Sequence, residues 1–132
     1  MNAPRIQVQT ADFDIGAEIR RLTCDEIDVG AVVAFAGVCR GEEGRLAAIE
    51  LEHYPGMAEE EIGRIAREAS QRWPLAGLTI IHRFGRIVPG ENIVLVATAS
   101  SAATLTMVGS GGRPGRAIFH GGISGGETVN GA

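Results

Sequence analysis

The sequence predicts a single α+β domain with a mixed, largely antiparallel sheet and a glycine-rich, irregular C-terminal tail. With 132 residues, 45% of them hydrophobic and 21% charged, the chain has the composition of one ordinary globular domain. Segments with the two-residue period of strands outnumber helical segments, and several strands follow one another without a helix between them. Residues 101–132 show neither period, which sets the tail apart.

The first third of the chain is expected to form two strands around one helix. Side chains alternate between polar and apolar over Arg5–Gln9, which indicates a short strand. Either Asp12 or Asp14 can cap a following helix that continues to Leu22. The stretch Val29–Gly37 is apolar, rich in small and β-branched residues and bounded by glycine, as in a buried strand.

The best helix of the sequence is expected from about Met57 to Arg72. Apolar residues recur at helical spacing along one face, the other face carries i,i+4 charge pairs, and Pro74 stops the helix. A strand is expected before it and two strands after it, at Ala47–His53, Leu78–Phe84 and Asn92–Thr98, with a turn at Val88–Glu91.

Charge and cysteine content exclude several classes of protein. The net charge is −4, and all 12 basic residues are arginine, which argues against a nucleic-acid binder with a general basic surface. Arg40 closes the apolar run from Val29, so no run reaches the length of a membrane span, and no signal-peptide pattern is found. We therefore expect a cytoplasmic protein in which Cys24 and Cys39 are free thiols, with no metal site and no cofactor.

The tail differs in composition from the rest of the chain. Residues 101–132 hold about half of the 19 glycines, and their charged residues are Arg113, Arg116 and Glu127. A phosphate-binding loop at Gly109–Gly115 is one interpretation, but the segment lacks a lysine and the flanking strand and helix of such loops. A disordered tail is the favoured interpretation.

Five segments in order then identify a family. They are GAVVAFAGVCR at 30–40, LEHYPGM at 51–57, RWPL at 72–75, IHRFG at 81–85 and VPGE at 88–91. Together they resemble the large, catalytic subunit of molybdopterin synthase, over roughly residues 5–100. The alternative, an unrelated small domain with five accidental matches, is disfavoured because the matches keep their order and spacing.

The resemblance implies an α/β-hammerhead fold and a sulfur-transfer enzyme of molybdenum-cofactor biosynthesis. Members of this family convert a cyclic pyranopterin monophosphate into the molybdopterin dithiolene. The sulfur comes from a thiocarboxylate at the C-terminus of a small ubiquitin-like subunit. The resemblance also implies a homodimer of large subunits with one small subunit at each end, which makes a heterotetramer.

The resemblance places the substrate site at the end of the second strand. Arg40 corresponds to an arginine that contacts the substrate, and the backbone of Val38 and Cys39 lines the same site. A solvated loop arginine is the alternative for Arg40, and for Cys39 we weigh a nucleophile with a lowered pKa against a small side chain that finishes a strand. Phe35 is expected to pack in the core, with a pocket-wall role as the alternative.

Other titratable residues receive structural interpretations. His53 and His82 lie on the apolar faces of their predicted strands, which favours core histidines over catalytic ones. Glu50 and Glu52 alternate on a strand and could form an acid–base pair, but a solvated sheet face is the better interpretation.

The chain departs from the family after its last predicted strand. The resemblance implies a His-Arg pair there and two lysines assigned to substrate binding and catalysis. Ala102 and Ala103 stand at the positions of the pair, and the chain contains no lysine. Arginine stays protonated near neutral pH, so Arg113 and Arg116 cannot replace a lysine in acid–base work. The catalytic residues are therefore unknown, and a catalytically inactive homologue that only dimerises or binds the small subunit is the alternative function.

The same departure suggests a division at residue 100. Residues 1–100 are predicted to be the family domain, and residues 101–132 a divergent tail, either the product of a frameshift in a family gene or a natural tail. If a missing C-terminal helix normally covers the sheet, the apolar strand Ile93–Ala99 should be exposed and the chain should self-associate.

Overall fold

The computed structural model describes residues 3–101, which form six strands and two helices. In chain order they are β1 (Arg5–Gln9), α1 (Ile15–Thr23), β2 (Ala31–Val38), β3 (Ile49–Leu51), α2 (Met57–Arg72), β4 (Gly77–Arg83), β5 (Gly85–Ile87) and β6 (Asn92–Ser100). The glycine-rich segment 109–115 and the rest of the predicted tail lie outside the described residues, apart from Ser101.

Four strands form the main sheet in the order β1-β4-β6-β2. β1 runs parallel to β4, whereas β6 is antiparallel to both β4 and β2. The predicted mixed, largely antiparallel sheet is confirmed. β3 and β5 form a separate antiparallel pair, with Ile49 opposite Ile87.

The two helices lie on opposite faces of the main sheet. They pack with neighbouring residues of β4, whose side chains point to opposite faces. Leu22 of α1 packs with Ile81 and Leu95. Ile62 of α2 packs on the other side in the cluster that contains Ile80. β6 lies between two strands and is covered on both faces, so all its residues from Ile93 to Ser100 are buried. The expectation that Ile93–Ala99 is exposed is therefore wrong.

Several predicted boundaries change in the structure. The helix Met57–Arg72 is confirmed at both ends, and Asp14 rather than Asp12 caps α1, since its Oδ1 accepts from the Ala17 amide at 2.9 Å. The strand predicted at Ala47–His53 is confined to Ile49–Leu51. β5 was not expected from the sequence; it begins at Gly85, where a φ of +83° breaks the strand that precedes it. No helix among the described residues is long and apolar enough to cross a membrane.

Candidate functional site

A β-bulge lies at the end of β2, where the segment Val38–Arg40 begins. Gly37 is opposite Val94, but Val38 is opposite Asn92, so the register shifts between Gly37 and Val38. A Cβ on Gly37 would lie 2.8 Å from Cγ1 of Val94, closer than side chains approach, and glycine therefore permits this approach of β2 to β6. The residue left without an opposite partner is Ile93 of β6, and the bulge changes the alignment of the two strands just before Cys39.

Both backbone polar groups of Cys39 are held by the turn between β5 and β6. Its amide donates to the carbonyl of Glu91 at 2.8 Å, and its carbonyl accepts from the amide of Gly90 at 2.7 Å. The side chain is 3% exposed, and its Sγ lies 3.9 Å from the carbonyl oxygen of Ile87. Burial, and secondarily the negative charge of Glu91, raise the pKa of the Cys39 thiol. A neutral, buried thiol fits a small side chain at the end of a strand better than it fits a nucleophile.

Arg40 projects from this fixed position into solvent. Its side chain is 81% exposed, and Nη2 lies 3.2 Å from Oε1 of Glu42. Val38, on the other side of Cys39, is 52% exposed. The three predicted site residues therefore form one corner, which we call the Arg40 corner: Val38, Cys39 and Arg40. An exposed guanidinium on a rigid main chain is suited to binding a phosphate or carboxylate.

The turn after Arg40 has a left-handed backbone. Glu42 and Glu43 have φ values of +53° and +57°, which cost energy in residues other than glycine, and Gly44 follows at +83°. Arg45 stabilises the turn, because its Nε donates to the Glu42 carbonyl at 3.1 Å. This turn places the carboxylate of Glu42 beside Arg40.

Phe35 lies earlier on β2, opposite Val96 of β6. It is partly buried and packs against the core cluster that also contains Cys39 and Ile80. This position agrees with core packing, while a role as pocket wall stays a prediction.

The two described histidines contact different partners. His53 stacks on Phe84 with ring centroids 4.0 Å apart, and its Nε2 lies 3.0 Å from Oε1 of Glu59. Nδ1 of His82 lies 2.9 Å from the carbonyl oxygen of Arg83, while Nε2 is buried with no hydrogen-bond partner. Burial lowers the pKa of His82, partly offset by this hydrogen bond. Both residues are partly buried and contact other residues of the domain, in agreement with a structural role.

Glu50 and Glu52 are both exposed, in keeping with the predicted solvated face. The hydroxyl of Tyr54 donates to Oε2 of Glu52, and this hydrogen bond to a carboxylate raises the pKa of Tyr54. Within residues 3–101, no group of three or more histidine, cysteine or acidic residues has the geometry to hold a metal ion.

The residues that support the Arg40 corner were not expected from the sequence. Arg83 is almost completely buried, and its guanidinium donates to the carbonyls of Thr10 and Asn92 at 2.8–3.0 Å. Glu91 lies beside it, with Oε1 3.6 Å from Nη1 of Arg83. The turn motif Val88–Glu91 was the available signal, but a turn motif does not indicate which distant strand it holds.

Comparison with known proteins identifies the family. The model of the MoaE protein family matches residues 8–105, most of the chain. The chain belongs to the MoaE family. The resemblance drawn from the five sequence segments is thereby confirmed.

Curated members of the MoaE family are similar over the same region. The molybdopterin synthase catalytic subunit of Mesorhizobium japonicum is 66% identical over 99 residues, which cover 75% of this chain and 62% of the relative. The same subunit of Brucella melitensis is 62% identical over 95 residues, covering 72% of this chain and 58% of the relative. The chain thus spans about three-fifths of the length of these relatives.

Solved MoaE structures share the fold. The MoaE protein of Burkholderia ambifaria aligns with a TM-score of 0.70 and 42% identity, covering 78% of this chain and 68% of the other. Molybdopterin synthase from Staphylococcus aureus aligns with a TM-score of 0.67 and 26% identity, covering 95% and 83%. A complex of subunits 1 and 2 of the molybdopterin-converting factor from Helicobacter pylori aligns with a TM-score of 0.64 at 12% identity, covering 95% and 74%, which supports the fold alone.

Proposed function

We propose that this chain is the large, catalytic subunit of molybdopterin synthase and acts in molybdenum-cofactor biosynthesis in the cytoplasm. It transfers sulfur from a thiocarboxylated small subunit to cyclic pyranopterin monophosphate. The observation that carries the proposal is the Arg40 corner, an exposed guanidinium on a fixed main chain within the region that is 66% identical to a named catalytic subunit.

The charge of the reactants explains what Arg40 contributes. The cyclic phosphate and the thiocarboxylate are both anions, and a guanidinium binds such groups through charge-assisted hydrogen bonds. Its single described ion-pair contact, at Nη2 with Glu42, leaves Nη1 and Nε available as donors. An anion can therefore bind Arg40 before Glu42 is displaced.

Val38 and Cys39 contribute shape to this site. The amide of Cys39 already donates to Glu91, so it has no proton left for a ligand. Its carbonyl retains one acceptor lone pair, and the exposed side chain of Val38 offers an apolar surface beside Arg40. The corner accordingly binds and orients an anion, whereas no described residue in it is a free amine or an activated nucleophile.

The missing lysines favour a second candidate function. The family resemblance assigns catalysis to lysines, and this chain has none. A catalytically inactive homologue would still dimerise or bind the small subunit, because those functions need surfaces and no proton-transfer group.

Reconstitution distinguishes the two functions. The chain is mixed with thiocarboxylated small subunit and the cyclic pterin, and dithiolene product is measured against the Mesorhizobium japonicum subunit as positive control. Product formation that Arg40→Ala reduces supports the enzyme. Small-subunit binding without product, while the positive control is active, supports the binding module.

We further propose that two copies of the chain dimerise and that each binds one ubiquitin-like small subunit. The family resemblance implies this assembly, and the relatives that are named as a catalytic subunit carry a name that implies at least one further subunit. Sedimentation of the chain alone and mixed with the small subunit tests this assembly. A chain that stays monomeric in both samples contradicts it.

The origin of residues 101–132 is a separate proposal. We propose that they result from a frameshift, because the composition changes abruptly close to the end of the region that the family model matches. Sequencing the DNA around codons 99–104 tests it. A single-base shift that restores a lysine-containing reading frame supports the frameshift, and the absence of such a frame supports a natural tail.

A further inference from the structure

We propose that Glu91 is a positioning residue for the Arg40 corner. It closes the turn between β5 and β6, and this turn holds the main chain from which Arg40 projects. The role of Arg40 in binding substrate rests on the function proposed above, whereas the mechanical link from Glu91 to Cys39 is independent of it.

Glu91 closes its turn with both its backbone and its side chain. Its amide donates to the carbonyl of Val88 at 3.1 Å, and its Oε1 accepts from the amide of Val88 at 2.9 Å. Both backbone polar groups of Val88 are therefore satisfied by one residue. Gly90, between them, has a φ of +93°, which fits a tight turn.

The closed turn is hydrogen-bonded to the backbone of Cys39. The carbonyl of Glu91 accepts from the Cys39 amide at 2.8 Å, and the amide of Gly90 donates to the Cys39 carbonyl at 2.7 Å. Two consecutive residues of the turn thus hold both backbone polar groups of Cys39. Arg40 is the next residue, so this turn fixes the position of the main chain that carries the Arg40 side chain.

A buried cation lies beside the Glu91 carboxylate. Oε1 of Glu91 lies 3.6 Å from Nη1 of Arg83, and the same nitrogen donates to the Asn92 carbonyl at 2.8 Å. Arg83 is fixed by Thr10 as well, and Asp12 lies 3.9 Å from its Nη1. The turn is therefore joined to the sheet interior.

The two properties of the side chain, reach and charge, can be separated by substitution. Glu91→Gln keeps an oxygen that reaches the Val88 amide, whereas Glu91→Asp keeps the charge on a shorter side chain. Glu91→Ala removes both. Because the link we propose depends on reach, the Gln variant should resemble the wild type and the Asp variant should resemble the Ala variant.

Glu59 provides a matched control. Its Oε2 accepts from the amide of Gly56, three residues earlier, at 3.1 Å. This is the same kind of contact that Glu91 makes with Val88, but it lies at the start of α2. Glu59→Ala should therefore lose a comparable contact without affecting the Arg40 corner.

The first experiment follows amide hydrogen exchange by NMR in the four variants and the wild-type chain. We expect the Cys39 amide to exchange roughly tenfold faster in Glu91→Ala and Glu91→Asp, because local opening no longer requires breaking the closed turn. Glu91→Gln and Glu59→Ala should keep wild-type protection at Cys39. Equal protection in all variants overturns the proposal, and if the Ala variant does not fold, the Asp and Gln variants decide.

The second experiment measures sulfur transfer by the complex with the small subunit. A displaced Arg40 should raise KM for the cyclic pterin by about tenfold in Glu91→Asp with little change in kcat, since misplaced binding groups weaken binding. An equal rise in the KM of Glu59→Ala overturns the proposal, because it would show that general destabilisation of the domain raises KM. If the wild-type chain transfers no sulfur, the proposed function fails, and the exchange at Cys39 still decides the role of Glu91.

Discussion

Arg5 on β1 forms a bidentate ion pair with Glu18 on α1. Nε and Nη2 of Arg5 donate to the two carboxylate oxygens of Glu18 at 2.9 and 3.1 Å. The Glu18 side chain is only 8% exposed, whereas that of Arg5 is 33% exposed. Arg21 approaches the same carboxylate at 4.0 Å. The first helix is thus attached to the edge strand of the main sheet through a carboxylate that has little access to water.

Replacing Arg5 with alanine should therefore destabilise the domain. Removing one partner of a buried ion pair costs about 3–5 kcal/mol, and the partial exposure of Arg5 reduces the expected loss to about 1–3 kcal/mol. Urea denaturation measures the free energy of unfolding. Arg64→Ala is the matched control, since Arg64 pairs with Glu61 on an exposed helix face and should cost less than about 1 kcal/mol. Equal losses in the two variants would contradict the prediction.

His82 should make the stability depend on pH. The Arg83 carbonyl can only accept a hydrogen bond, so the neutral ring carries its proton on Nδ1 and leaves Nε2 bare. Because burial lowers the pKa of His82, the unfolded chain binds a proton more readily than the folded one below about pH 6.5. Stability is therefore present above that pH and is lost as the pH falls towards the pKa of the folded state.

The comparison of His82→Phe with the wild type tests this dependence. Unfolding free energies at about pH 7.5 and about pH 5.0 should differ less in the variant. The pKa of Glu59 is lowered by its own backbone hydrogen bond and by His53, and the substitution at His82 leaves both contacts in place, so Glu59 contributes equally in the two proteins. An identical pH dependence in both proteins would refute the assignment to His82.

Glu42 should weaken anion binding at Arg40. Its carboxylate lies 3.2 Å from Nη2 of Arg40, and its negative charge repels an anion that approaches the same guanidinium. An exposed ion pair contributes at most about 1 kcal/mol, so Glu42→Gln should tighten binding of the cyclic pterin by about two- to fivefold at low salt. Calorimetric titration measures the affinity.

Glu43→Gln is the control for this effect. Glu43 neighbours Glu42 in sequence, but its carboxylate pairs with Arg45, at 3.4 Å, and does not contact Arg40. The Gln variant at position 43 should bind the pterin as the wild type does. Equal tightening in both variants would show that the general negative charge of the turn matters and the contact of Glu42 does not.

The local elements were predictable because their signals are local. The helix Met57–Arg72 has a continuous apolar face and a proline just beyond its end, so both ends follow from the sequence. β5 has only three residues, Gly85–Ile87, and so short a segment cannot show the two-residue alternation that indicates a strand in a sequence. Its pairing with β3 depends on a contact between residues that are far apart in the sequence.

The sequence predicts a position for the candidate site but does not predict the residues that support it. Arg40 after an apolar strand, within a family motif, predicts where an anion should bind, and this stays a prediction. The hydrogen bonds that hold Cys39 come from Gly90 and Glu91, about fifty residues later, and no local pattern encodes that pairing. The burial of Arg83 opposes the usual preference of arginine for the surface, so composition could not predict it.

Two glycines should respond in opposite ways to alanine. Gly63 lies in α2, and the closest atom to an added Cβ is Nη1 of Arg67 at 3.3 Å, the far end of a flexible side chain. Alanine is favoured over glycine in a helix by about 0.8–1.0 kcal/mol, so Gly63→Ala should raise the stability by up to that amount. At Gly30, in contrast, a Cβ would collide with the backbone carbonyl of Ser101, which cannot move aside freely.

Gly30→Ala should consequently lower the stability by about 1–3 kcal/mol, the usual cost of forcing an extra methyl group into a packed position. The amide of Gly30 also donates to the Ser100 carbonyl at 2.8 Å, and a displaced backbone would weaken this link between the start of β2 and the end of β6. Urea denaturation of the two variants beside the wild type measures both changes. Stabilisation by Gly30→Ala would mean that the close approach to Ser101 is not a property of the folded chain.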